Sequence, residues 1–168
     1  MTDWTEFIAA FAVFLGAHII PMRFKAGLTA ALGRRGYVLA FSLLSLGLLY
    51  WLILATGRAP FVELWPQAGW MRWLVNLAMP LAFLIAAIGA MGGVMAGFAL
   101  WAGTHLLANG DLAHVILFGA LLGYALSGLR RWPIGPLRLT WGRVAIALIL
   151  WVGAWHLHQT VIGVSPMP

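Results

Sequence analysis

The chain reads as long apolar stretches interrupted by short segments that carry nearly all of its charge. A transmembrane helix needs about 20 mostly apolar residues to cross about 30 Å of hydrocarbon, and six stretches meet that requirement. They run from about Trp4 to Pro21, Tyr37 to Thr56, Trp73 to Gly89, Gly92 to Ala108, Leu112 to Leu129 and Arg143 to Gln159. No charge occurs between Arg72 and Asp111, a length too great for one helix and suited to two joined tightly. The run Gly89-Ala90-Met91-Gly92-Gly93 supplies that turn. The pattern therefore predicts an all-α, polytopic transmembrane bundle of about six spans, a single domain over residues 1–168.

Positive residues in short loops concentrate on the cytoplasmic side, which tests the span count independently. With six spans, Arg23, Lys25, Arg34, Arg35, Arg130, Arg131, Arg138 and Arg143 share one side. All four acids, Asp3, Glu6, Glu63 and Asp111, fall on the other with only Arg58 and Arg72. Fusing the third and fourth spans would scatter these signs, so both termini are expected outside. The start of the chain carries Asp3 and Glu6 instead of a basic region, so it is expected to remain as the first helix.

Composition agrees: 63% of the 168 residues are hydrophobic, 8% are charged, and the mean hydropathy is +0.96. A soluble domain carries about a quarter charged residues. The net charge of +6 is read as an anchor to anionic lipid, and no nucleic-acid partner is expected. Having no cysteine excludes disulfides and thiolate metal sites, leaving histidine as the strong nitrogen ligand. No loop is long enough for a catalytic domain, so any chemistry belongs among the helices.

Several smaller features fit this picture. Residues 22–36 mix basic and apolar residues and could lie as a short interfacial helix. Trp65, Trp70 and Trp73 on one side, and Trp132 and Trp141 on the other, mark headgroup levels. Gly89, Gly93 and Gly97, and then Gly119, Gly123 and Ser127, recur every four residues, a spacing that lets helix backbones approach closely. Pro80 is expected to kink the third span.

Histidines inside a membrane are expensive and are functional candidates by default. His114, His156 and His158 lie close enough to water to be ordinary interfacial residues. His18 and His105 are deeper, and a buried hydrogen bond competes there with ligation of haem iron or another metal. A His-Glu-x-x-His zinc site and a Gly-x-Ser-x-Gly elbow are both absent. Asn109-Gly110-Asp111 reads as a tight turn, with Asp111 capping the next helix. Its closeness to His105 adds the alternative of a group that orients the imidazole.

These motifs resemble the NnrU family of integral membrane proteins, which is related to the plant 15-cis-zeta-carotene isomerases. The N-terminal likeness rests on His18-Ile-Ile-Pro-Met-Arg23, Gly36-Tyr37, Ser42-Leu-Leu-Ser45 and Ala59-Pro-Phe-Val-Glu-Leu-Trp65. Phe98-Ala-Leu-Trp101, His105-Leu-Leu-Ala-Asn109-Gly110-Asp111, Phe118-Gly119 and Gly163-Val-Ser-Pro166 extend it over nearly the whole chain. The resemblance implies a bacterial inner-membrane protein linked to denitrification and nitric-oxide metabolism. Through the plant relative, a haem b enzyme, it implies His18 as an iron ligand and His105 as a second candidate; Arg23, Asn109, Gly110 and Asp111 are candidates for structural or supporting roles. Catalytic residues are not specified by it.

The chain departs from the family where members often carry Arg-His-Pro at the start of the fourth span and this sequence has Met91-Gly92-Gly93. In the six-span topology that histidine would stand at the depth of His18. His105 lies roughly ten residues of helix away in depth, about 15 Å at the α-helical rise, a span that two imidazoles on one porphyrin barely reach. A five-coordinate haem on His18 is the form this leaves. Two functional readings stand: an accessory or regulatory membrane protein of this family, and a haem-dependent isomerase or redox enzyme acting on a hydrophobic polyene. An ion or solute carrier is weaker, because no carboxylate sits in mid-span.

Overall fold

The computed structural model describes residues 4–167, apart from the side chains of residues 19 and 21–23. Five helical elements follow in order: α1 (Thr5–Arg58), α2 (Gly69–Ile88), α3 (Ala90–Ala108), α4 (Leu112–Arg131) and α5 (Trp141–Ile162). Gly33, at φ 70° and ψ 161°, breaks α1 in two and brings the helices to six among the described residues. A side chain would be strained in that left-handed backbone, so glycine is what lets the chain turn there. Helix continues through residues 19–32, beyond the expected end of the first span at Pro21.

Phe24–Arg58 and helices α2 to α5 are each long and apolar enough to cross a membrane, while the apolar helix Thr5–His18 is shorter. The protein is an integral membrane protein of all-α class. Its exposed faces suit lipid, with Leu46, Leu77 and Ile149 turned outward. Packing divides the chain into two compact units, Met1–Pro60 and Phe61–Pro168.

In the first unit the two ends of α1 run antiparallel. His18 meets Phe41 with ring centroids 5.5 Å apart. Further along, the Glu6 carboxylate accepts from Trp51 Nε1 at 3.3 Å and pairs with Arg58 at 3.3 Å. The buried residues Phe7, Ala10, Leu52, Ala55 and Thr56 lie in the same stretches. Thr56 satisfies its hydroxyl on the Leu52 carbonyl at 2.7 Å, the usual remedy for a polar side chain inside an apolar helix.

In the second unit α2 packs on α3 and α5, and α3 packs on α4. The α2–α3 connection is a single residue, Gly89, followed by Ala90 at φ 51°. Close approach then continues up the pair, since a Cβ on Gly93 would run into the Ile85 carbonyl oxygen and one on Gly97 into that of Ala82. Gly119 and Gly123 face open space, and in their place Gly128 receives the side chain of Met95. The four-residue spacing is thus a packing device in α3 and not in α4. α2 passes through Pro80 as one helix.

The end of α2 is held by the 132–143 region. Arg143 donates from one guanidinium nitrogen to the carbonyls of Ala87 and Ile88, each at 3.3 Å, and the Arg138 amide donates to Ile88 at 2.9 Å. Helix C-terminal carbonyls have no intrahelical partner, and a cation there also meets the negative end of the dipole. Replacing Arg143 with Gln is expected to lower stability by about 1 kcal/mol, read as a lower midpoint of denaturant unfolding in detergent.

Candidate functional site

His18 sits on α1 one turn past Phe14, and its Nδ1 lies 2.7 Å from the Phe14 carbonyl oxygen. A carbonyl can only accept, so Nδ1 carries a proton and donates it, which leaves Nε2 as the ring nitrogen available to a ligand. The imidazole stands between aromatic rings, with Phe14 at 4.3 Å and Phe41 at 5.5 Å between centroids, and Phe41 stacks in turn on Tyr37. Arg23, read as a supporting residue, has its side chain outside the described residues.

The second candidate is built around the α3–α4 turn. Asn109, Gly110 and Asp111 form the expected connection, and Asp111 caps α4 by accepting from the His114 amide at 3.2 Å. Its other oxygen takes the His114 ring Nδ1 at 2.7 Å. The carboxylate therefore orients His114, while His105 is bonded elsewhere. Asp111 is 6% exposed, and both of its carboxyl oxygens are hydrogen-bonded within the protein.

His105 donates from Nδ1 to the Trp101 carbonyl at 2.8 Å, and its own carbonyl accepts from the Asn109 side chain at 2.8 Å. Phe118 lies between the two histidines, 5.3 Å from His105 and 6.1 Å from His114. Trp101 contacts both His105 and Phe118, and Phe98 links Trp101 to Tyr124. The result is an aromatic cluster on α3 and α4 carrying two imidazoles whose Nδ1 atoms are engaged.

Residues 62–65 strap this turn, an arrangement that the sequence did not announce. The amides of Leu64 and Trp65 donate to the Gly110 carbonyl at 2.7 and 3.2 Å, and the Leu112 amide donates to Val62 at 2.9 Å. Trp65 also donates its indole to the Leu107 carbonyl at 3.0 Å. A Cβ on Gly110 would strike the Trp65 carbonyl oxygen, which gives the glycine a packing reason beyond the turn. Trp65 is thus more than a headgroup marker.

Asn76 is a second polar center with no advance signal beyond being an amide one or two turns into an apolar helix. It donates to the Arg72 and Pro166 carbonyls at 3.1 and 2.6 Å and accepts from Trp155 at 3.2 Å. These bonds dock the tail on α2 and tie α2 to α5. Among the described residues no group of three or more His, Cys, Asp or Glu side chains could hold a metal ion.

No curated protein and no solved structure matches the chain significantly. The family model described as NnrU protein matches residues 6–166, which takes in all of the helices but the first residue of α1, both histidine sites and the strapped turn, and on that match the chain belongs to the NnrU family.

Proposed function

We propose that this NnrU-family membrane protein binds haem b through His18 and acts in nitric-oxide handling at a bacterial inner membrane, with both termini outside. The observation that carries the reading is the Nδ1 bond from His18 to the Phe14 carbonyl. Iron-ligating histidines commonly donate the other ring nitrogen to a backbone carbonyl, which fixes the tautomer and strengthens Nε2 as a ligand. Phe14 and Phe41 add flat apolar surfaces of the kind a porphyrin packs against. His18 would hold the group through Nε2.

The family resemblance sets histidine, in many members, where this chain has Gly92, so no ligand is drawn from that position. Haem held through His18 would supply iron chemistry toward a diatomic ligand.

The visible spectrum of the detergent-purified protein, oxidised and dithionite-reduced, tests this. A Soret band is expected in the natural protein, lost in His18→Ala and kept in His105→Ala. Absence of the band after haem is supplied during expression, or its survival in His18→Ala, would overturn the reading.

A second reading, a haem-dependent isomerase or redox enzyme for a conjugated hydrophobic substrate, draws on the aromatic cluster of Phe98, Trp101, Phe118 and Tyr124 beside His105. Such rings offer stacking surfaces to a planar polyene. Isomer composition of an added polyene, followed with the reduced protein, decides it, and an unchanged composition removes it.

A further inference from the structure

We propose that the α1 segment after Gly33 is a binding site for one anionic glycerophospholipid. Arg34, Arg35, Val38, Leu39 and Ser42, all exposed, border an open surface depression of about 440 Å³ along this one helix. Two guanidinium groups stand at the start of the helical segment and apolar side chains follow one turn on, so charge gives way to apolar surface as phosphate gives way to acyl chain in a phospholipid. From Arg34 to Ser42 the helix advances about 12 Å.

Neither guanidinium has a hydrogen-bond or ion-pair partner among the described residues. Both are exposed, as are Val38 and Leu39 at 53% and 62%. Guanidinium forks match the paired oxygens of a phosphodiester. Two adjacent positive charges exceed the single charge of that phosphate, so a headgroup carrying its own cation is disfavoured and a net-negative one is preferred. The apolar walls distinguish a lipid from free phosphate, since they give an acyl chain a surface and inorganic phosphate nothing.

The full chain, delipidated in detergent, is to be returned to mixed phosphatidylcholine and phosphatidylglycerol, and bound lipid counted by native mass spectrometry. One phosphatidylglycerol is expected to stay bound in preference to phosphatidylcholine. At about 1 kcal/mol per basic residue near a lipid surface, Arg34→Gln with Arg35→Gln should weaken retention about thirtyfold. Leu39→Trp, which fills the depression and keeps both charges, should also release the lipid. Lys25→Gln, outside the depression, should leave retention within about twofold of the natural protein, well inside the effect of one surface charge. The proposal fails if the double variant retains the lipid while its helical content is unchanged, or if Lys25→Gln lowers retention as much as the double variant does. It fails also if inorganic phosphate displaces the lipid at matched concentration.

Discussion

Gly97→Val should destabilise the second unit by about 3 kcal/mol, the upper part of the range for overpacking a tight core. The substitution adds a β-branched side chain at a point where even a single Cβ would collide with the Ala82 carbonyl oxygen and press the Ala86 methyl at 3.1 Å. The obstacle is backbone, which cannot rotate aside as a side chain can. Relief requires α2 and α3 to separate, and Gly93 against Ile85 and the one-residue connection at Gly89 oppose that separation. Gly119→Ala and Gly123→Ala make the control. Both glycines open on empty space, so alanine should be neutral or favourable by up to about 1 kcal/mol through helix propensity. Unfolding by denaturant in detergent micelles separates the sets, and equal effects at Gly97 and Gly123 would show that α2 and α3 do not pack on this seam.

That contrast also marks what a sequence can hold. Hydropathy placed the last four spans within a few residues of α2 to α5, because crossing hydrocarbon demands a length of apolar helix whatever the packing. The capping role of Asp111 was legible for a similar reason, since a helix start presents unpaired amides that a carboxylate one position earlier satisfies. Spacing alone could not distinguish Gly93 and Gly97 from Gly119 and Gly123. A four-residue repeat says that small residues share a helix face and is silent on whether a neighbour covers it.

The break in α1 was hidden for another reason. Residues 22–36 contain several glycines, and only the backbone reveals that Gly33 takes the positive φ while Gly27 and Gly36 remain helical. The strap over the α3–α4 turn is the hardest case. Val62 to Trp65 meet Gly110 to Leu112 across more than forty residues of sequence, and nothing local in either segment names the other. His18 and His105 could be singled out by their cost in a membrane. Which histidine Asp111 orients depended on the turn, and the i, i+3 geometry of α4 gave it to His114.

That pairing yields the second large effect: Asp111→Ala should cost about 3 kcal/mol, the sum of two bonds to an ionised acceptor at about 1.5 kcal/mol or more each. The loss has two components because the carboxylate serves both the backbone amide and the ring of His114. Alanine leaves the amide without its cap and the imidazole Nδ1 without an acceptor beside Phe118. Asp111→Asn tests the division. Its amide oxygen can still take the His114 amide but offers only one acceptor atom, so roughly half the stability should return. His114→Phe removes the ring bond alone and keeps the aromatic contact, and in a cycle with Asp111→Ala the coupling should be about 1–2 kcal/mol. A coupling near zero would mean that the ring bond adds nothing and Asp111 acts only as the cap of α4. A large coupling with Asp111→Asn no better than alanine would instead show that the second carboxylate oxygen, and not the cap alone, holds the α3–α4 turn.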